Sequence, residues 1–228
     1  MFGKLKRFTS LFLMTALVLM IPGCSSSNKH PSNYQQLSAL IGKSRDEVCA
    51  QLGLNDADLE EFGPSEYMTP IQVEYAGVTF DVVLCMHTVD DLLCGFRYIA
   101  SYEKNPEQAA KDTVTVAKHL SKAMGKTYVK EEVLISEQTE SELKELFSGP
   151  DSYGNNNFWD LTQNASSEVE LYLRHLEKMD YWKQHFEGKP ACFYMDFDIT
   201  YISETDTSNI IIAYTPARYR GSGNYKEG

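Results

Sequence analysis

The sequence predicts an α+β domain in which helices pack on one face of an antiparallel β-sheet, the sheet being a meander followed by a C-terminal hairpin. Three observations carry this. From Met68 to Ala100, apolar and polar residues alternate in three runs separated by Ala76-Gly77 and Thr88–Asp91, the pattern of strands and turns. From Pro106 to Met124 the period lengthens, with Ala110, Val114, Ala117, Leu120 and Met124 at helical spacing. From Ala191 to Thr215 alternation returns, and Phe193, Met195, Phe197, Ile199 and Tyr201 fall on one face of a strand.

The elements follow in chain order. Ser44-Arg45-Asp46-Glu47 is a capping box, in which Ser bonds forward and Glu bonds back. It opens a helix over Arg45–Leu52 that Gly53 stops, and Leu37, Leu40 and Ile41 join its apolar cluster. The meander strands are Ile71–Tyr75, Val78–His87 and Leu92–Ala100. Asn105 caps the long helix, Pro106 takes its first position and Gly125 ends it. Tyr128 to Leu134 reads as a further strand. Thr139-Glu140-Ser141-Glu142 is a second capping box, opening a helix to about Ser148 with Gly149-Pro150 as breaker. Asp151 to Asn157 reads as a loop and Phe158 to Leu161 as a short strand. Ser167 to Glu187 contains no breaker and reads as one helix, stopped at Gly188. Strands Ala191–Ile202 and Asn209–Thr215 close the domain. Helix, meander and helix recur loosely as helix, helix and hairpin. A boundary at 150–157 therefore competes with one sheet shared by both halves.

The chain begins with a basic stretch carrying Lys4, Lys6 and Arg7, followed by an apolar run from Phe8 to Ile21. That run of 14 residues is shorter than the roughly 20 a membrane span needs, and it reads as an export signal. No small-residue A-x-A site follows it. Ile21-Pro22-Gly23-Cys24 instead resembles the lipobox of bacterial lipoproteins. The resemblance implies a signal peptide over residues 1–23, cleavage before Cys24 and diacylglycerol on its thiol, which would anchor the protein to the outside of a cell membrane. Residues 24–34, including the polar run Ser25 to Asn33, read as a flexible tether with a reach of roughly 17 Å. The globular domain is expected over residues 35–218, with a flexible Gly- and Ser-containing tail over 219–228.

Without the leader, 18 basic residues face 32 acidic ones, a net charge of −14. This surface argues against nucleic acid and against an electrostatic patch for anionic lipid. Four cysteines remain beyond Cys24: Cys49, Cys85, Cys94 and Cys192. Two disulfides are arithmetically open. However, bringing the apolar faces of Val78–His87 and Leu92–Ala100 together needs an odd-length loop, which puts Cys85 and Cys94 on opposite faces and favours free thiols.

Ile41 to Gly53, with its glycines and capping box, resembles the opening of small bacterial lipoprotein domains of the β-lactamase-inhibitor-like and outer-membrane-assembly type. These pack helices on an antiparallel sheet and act by binding other proteins. The resemblance implies a binding module.

Motifs for chemistry are sparse. His30, His87, His119, His175 and His185 include no HExxH and no Cys/His pairs at zinc spacing, and they read as solvated or hydrogen-bonded histidines. Ser141-Glu142-Leu143-Lys144 matches a serine–lysine pattern but lacks SDN and KTG, and Ser141 sits in a helix's first turn. Asp151 to Asn157 lacks the glycine position and closing Glu of a calcium loop. Asp196 and Asp198 share the expected solvent face of a strand, with Glu204 and Asp206 in the next turn; they are the candidates for a cation or for acid–base work. The 14 tyrosines suit either strands or a binding face. The expectation is a non-catalytic, lipid-anchored envelope protein that binds an unidentified protein or ligand, with Cys24 as lipidation site and no catalytic residue, metal or cofactor. The alternative is an envelope hydrolase built on carboxylates such as Asp196 and Asp198.

Overall fold

The computed structural model describes residues 29–125, 128–129, 134–185, 189–218 and 226–227. Cys24 and the leader lie outside the described residues. Helices α1 (Tyr34–Ser38) and α2 (Arg45–Leu52) open the fold. The Ser44 hydroxyl accepts from the Glu47 amide while Glu47 Oε2 accepts from the Ser44 amide at 3.0 Å, and Gly53 closes the helix at φ 69°. Strands β1 (Glu60–Gly63), β2 (Glu66–Tyr75), β3 (Val78–Met86) and β4 (Leu93–Glu103) form the meander. Helix α3 (Pro106–Met124) follows, capped by the Asn105 side chain. Strand β5 (Tyr128–Val129), helix α4 (Glu140–Leu146) under the Thr139 box, and strand β6 (Tyr153–Asp160) come next. Helices α5 (Ser167–Lys178) and α6 (Asp180–His185) precede the long hairpin of β7 (Cys192–Ile202) and β8 (Thr207–Arg218), and β9 (Lys226–Glu227) comes last.

Among the described residues, the nine strands lie in one antiparallel sheet, ordered β1-β2-β3-β4-β8-β7-β6-β5-β9. The strand pair β4–β8 runs in unbroken register from Phe96↔Tyr214 to Glu103↔Thr207, so the two sides of residues 150–157 share a sheet. One face of the sheet carries Phe80, Leu84, Phe96, Tyr98, Met195, Phe197, Ile212 and Tyr214, all buried in a single core with the apolar stripes of α3 and α5. This is the α+β architecture with helices on one face. The opposite face, called here the far face, carries a small cluster of Phe158, Cys192 and Tyr194.

Several local expectations change. The polar run Asp151 to Asn157 is strand rather than loop from Tyr153 onward, paired along its length with β7. Tertiary pairing overrides the poor strand propensity of Gly154 and three asparagines. Buried Asn157 is used structurally: its Oδ1 accepts from the Ile135 amide at 3.0 Å. The helix expected over Ser167–Glu187 breaks at Met179, whose ψ is 139°. The stripe Val169, Tyr172, Leu173, Leu176 would carry Trp182 off the core face if the helix continued. The break lets the Trp182 indole bury and donate to the Lys189 carbonyl at 2.8 Å. Strand β2 begins five residues earlier than expected and β1 was not foreseen. Of the strand expected over Tyr128–Leu134, Tyr128–Val129 is strand and Leu134 precedes a 3-10 turn. Within the tail expected to be flexible, Lys226–Glu227 pairs with β5.

Between β3 and β4, Cys85 pairs with Gly95 and the register shifts before Met86↔Leu93. Cys94 is thus the extra residue of a β-bulge. Leu93 turns into the core in place of Leu92, and the Cys94 thiol donates to the Cys85 carbonyl at 3.2 Å. All four described cysteines are free thiols.

Candidate functional site

The first feature is where the N-terminal segment meets the fold. Expected as part of a flexible tether over residues 24–34, Lys29–Asn33 is instead bound to the core by aromatic side chains from three strands. Tyr75 donates its hydroxyl to the Lys29 carbonyl at 3.0 Å, and Tyr98 donates to Asn33 Oδ1 at 2.7 Å. His30 stacks on Tyr34 at 4.0 Å and shares a 3.0 Å hydrogen bond with the Tyr214 hydroxyl. Tyr75, Tyr98 and Tyr214 thus serve the core and its docked segment rather than an open face. Only residues 25–28 then separate Cys24 from the docked chain, a reach of at most about 18 Å.

Burial, together with the adjacent Lys29 charge, pulls the His30 pKa down to about 4. The docked ring is therefore neutral, whereas an undocked ring takes a proton near its ordinary value of 6.5. The stabilisation is complete above about pH 6.5 and is lost progressively as the pH falls towards 4. Carboxylates titrate in the same range, so a variant is the comparator. In His30→Phe, which keeps an aromatic ring on Tyr34, the drop in melting temperature between pH 7 and pH 4.5 is expected to be smaller than in the wild type; an equal drop would show that His30 contributes nothing.

The second feature is a cavity of about 600 Å³ at the β3–β4 end of the sheet, extending onto the far face. His87, Tyr181 and Trp182 line one part of it, and Glu66, Cys85, Cys94, Arg97, Asp196 and Asp198 another. The sheet register explains the gathering, since Val83↔Arg97, Arg97↔Ala213 and Ala213↔Asp196 form one row across four strands. Arg97 Nη1 donates to Glu66 Oε2 at 2.9 Å. Asp196 is not the solvent-facing residue expected. It is only 3% exposed, because β7 is a central strand and Ala213 and Phe158 flank it on either side. Asp198 is half-buried and also lines a neighbouring hollow of about 330 Å³ with Asn156 and Thr200. Two residues apart on a strand, Asp196 and Asp198 have their Cα atoms about 7 Å apart. Glu204 and Asp206 do not join them. They stay in the β7–β8 turn, where Glu204 accepts from Ser152 and Asp206 from Tyr201.

Burial pushes the thiols of Cys85 and Cys94 up to about 12. Both are protonated at neutral pH and are not thiolate nucleophiles. The cavity thus offers a paired cation and anion, two carboxylates and aromatic edges, an arrangement suited to recognition.

A third feature was invisible in the sequence. The Asp90 carboxylate bridges two histidines, His87 Nδ1 at 3.2 Å and His175 Nε2 at 2.8 Å, in the tautomers that donate to it. It also accepts from the Leu92 amide at 3.3 Å. The bridge ties the β3–β4 turn to α5. The spacing of His87 and Asp90 is legible in the turn, but His175 lies 85 residues away and carries no signal. His119 packs edge-on to Tyr75, and His185 stacks on Tyr181. Among the described residues no group of three or more His, Cys, Asp or Glu is arranged to hold a metal ion, and no helix is long and apolar enough to cross a membrane. No family model matches the chain, and neither a curated protein nor a solved structure is found similar to it.

Proposed function

We propose that this chain is a lipid-anchored protein of the bacterial cell envelope, held by Cys24, whose domain binds an envelope protein or ligand without chemistry of its own. The observation that supports this most is the far-face cavity: it presents the Glu66–Arg97 ion pair and two carboxylates beside thiols that burial keeps protonated. The resemblance of Ile41 to Gly53 to protein-binding lipoprotein domains points the same way, as does the lipobox. A second reading, an envelope hydrolase, is favoured by one observation: Asp196 and Asp198 line a single cavity.

Photo-crosslinking in native membranes from a reporter amino acid at Thr215, which lines the cavity, separates the two. Binding through the cavity predicts one reproducible adduct, lost in Arg97→Glu and absent when the reporter stands instead at exposed Thr115 on α3. Turnover of a substrate by the purified protein, abolished in Asp198→Asn, would replace the binding reading with the hydrolase.

A further inference from the structure

The long helix α3 carries charge that the composition of the chain conceals. Its exposed positions include Lys111, Thr115, Lys118 and Lys122. At 100° per residue the three lysines fall within about 40° of one line, a stripe about 16 Å long. Within α3 the acid on that face is Glu107, which is already paired with Lys144 at 3.2 Å. Asp112 lies to one side and accepts from Tyr102 and Gln108.

The stripe lies beside the point where the N-terminal segment enters the fold. Tyr75 marks the junction: its hydroxyl holds the Lys29 carbonyl, and its ring packs against His119, between Lys118 and Lys122 in sequence, at 5.0 Å. Lys29 is itself exposed. An anchor five residues upstream of Lys29 would therefore bring this side of the domain to the bilayer before any other. The net charge of −14 opposes the approach only weakly, because charges more than about 8 Å from the contact are screened at physiological salt.

We infer that Lys29, Lys111, Lys118 and Lys122 form a membrane-facing surface that binds the anionic headgroups of the bilayer in which the protein is anchored. The inference rests on the proposed anchor at Cys24. It runs against the expectation, drawn from total charge, of no electrostatic patch for anionic lipid, because a local stripe rather than the sum governs contact at a charged surface.

The full lipidated protein, with a fluorescent amino acid at Thr115 or at Val89, is reconstituted on vesicles containing brominated lipid. Val89 sits in the turn at the other end of β3 from Tyr75, about 26 Å along the strand. On vesicles of phosphatidylcholine with phosphatidylglycerol, the Thr115 probe is expected to be quenched more strongly than the Val89 probe, and less so on phosphatidylcholine alone or in high salt. Lys111→Glu, Lys118→Glu and Lys122→Glu together should remove the difference. The milder triple change to Gln, which leaves these exposed positions uncharged, should reduce it. Equal quenching at both positions, or quenching untouched by either triple variant while the protein stays on the vesicles, would overturn the inference. Failure of the wild type to stay on either vesicle would overturn the anchor itself and the inference with it.

Discussion

Gly95→Ala is expected to cost about 3 kcal/mol of stability, at the upper end of what overpacking a core usually costs. A Cβ built on Gly95 lies 2.5 Å from the Tyr214 carbonyl oxygen, a backbone atom that no side-chain rotation can remove. The site is where β4, just past its bulge, comes alongside β8, and Phe96↔Tyr214 is the first pair of that ladder. Opening it would disturb the stack of Phe96 on Tyr214, whose rings are 4.9 Å apart, and through Tyr214 the docking of His30. For a domain of this size the loss corresponds to a fall in melting temperature of about 6–12 °C. Gly149→Ala is the control, since the nearest atoms to its Cβ are at 3.6 Å, an ordinary contact. A Gly95→Ala protein that melts with the Gly149→Ala protein would mean that β4 and β8 do not approach as described.

The parts of this fold that sequence revealed are those set by neighbours along the chain. The capping boxes at Ser44 and Thr139, the Asn105-Pro106 start of α3 and the alternation of β7 are local signals, and the corresponding elements form. What it concealed is set by pairing across the chain. Residues 153–157 look like a loop until β7 supplies a partner for every one of them. Ser167–Glu187 looks like one helix until the burial of Trp182 demands a bend. Alternation placed Asp196 outward correctly with respect to the helices, but it could not show that the far face of a central strand is itself buried.

The candidate site follows the same rule. Asp196 and Asp198 were legible as a pair because they are two residues apart. Arg97, Glu66 and the thiols of Cys85 and Cys94 join them only through a register running across β2, β3, β4, β8 and β7. The Asp90 bridge and the docking of His30 on Tyr214 span 85 and 184 residues, and no spacing rule reaches that far. The docked segment also changes what a tether would do. Lys29–Asn33 belongs to the domain, so an anchor on Cys24 would hold Lys29, beside which α3 lies across Tyr75, within about 18 Å of its point of attachment.

The proposed anchor sets the other large effect. Acyl chains contribute about 0.8 kcal/mol per buried CH₂, and two chains give stable attachment, whereas four lysines at a surface contribute only about 1 kcal/mol each. Removing the thiol proposed to carry the lipid should therefore convert near-complete retention on membranes into a weak association that salt disperses. The most direct measurement is incorporation of labelled fatty acid into the wild type and Cys24→Ala, read together with the membrane-bound fraction of each after a high-salt wash. The account predicts label and full retention in the wild type, and neither in Cys24→Ala. A Cys24→Ala protein that still takes up the label and remains with the membranes would contradict it.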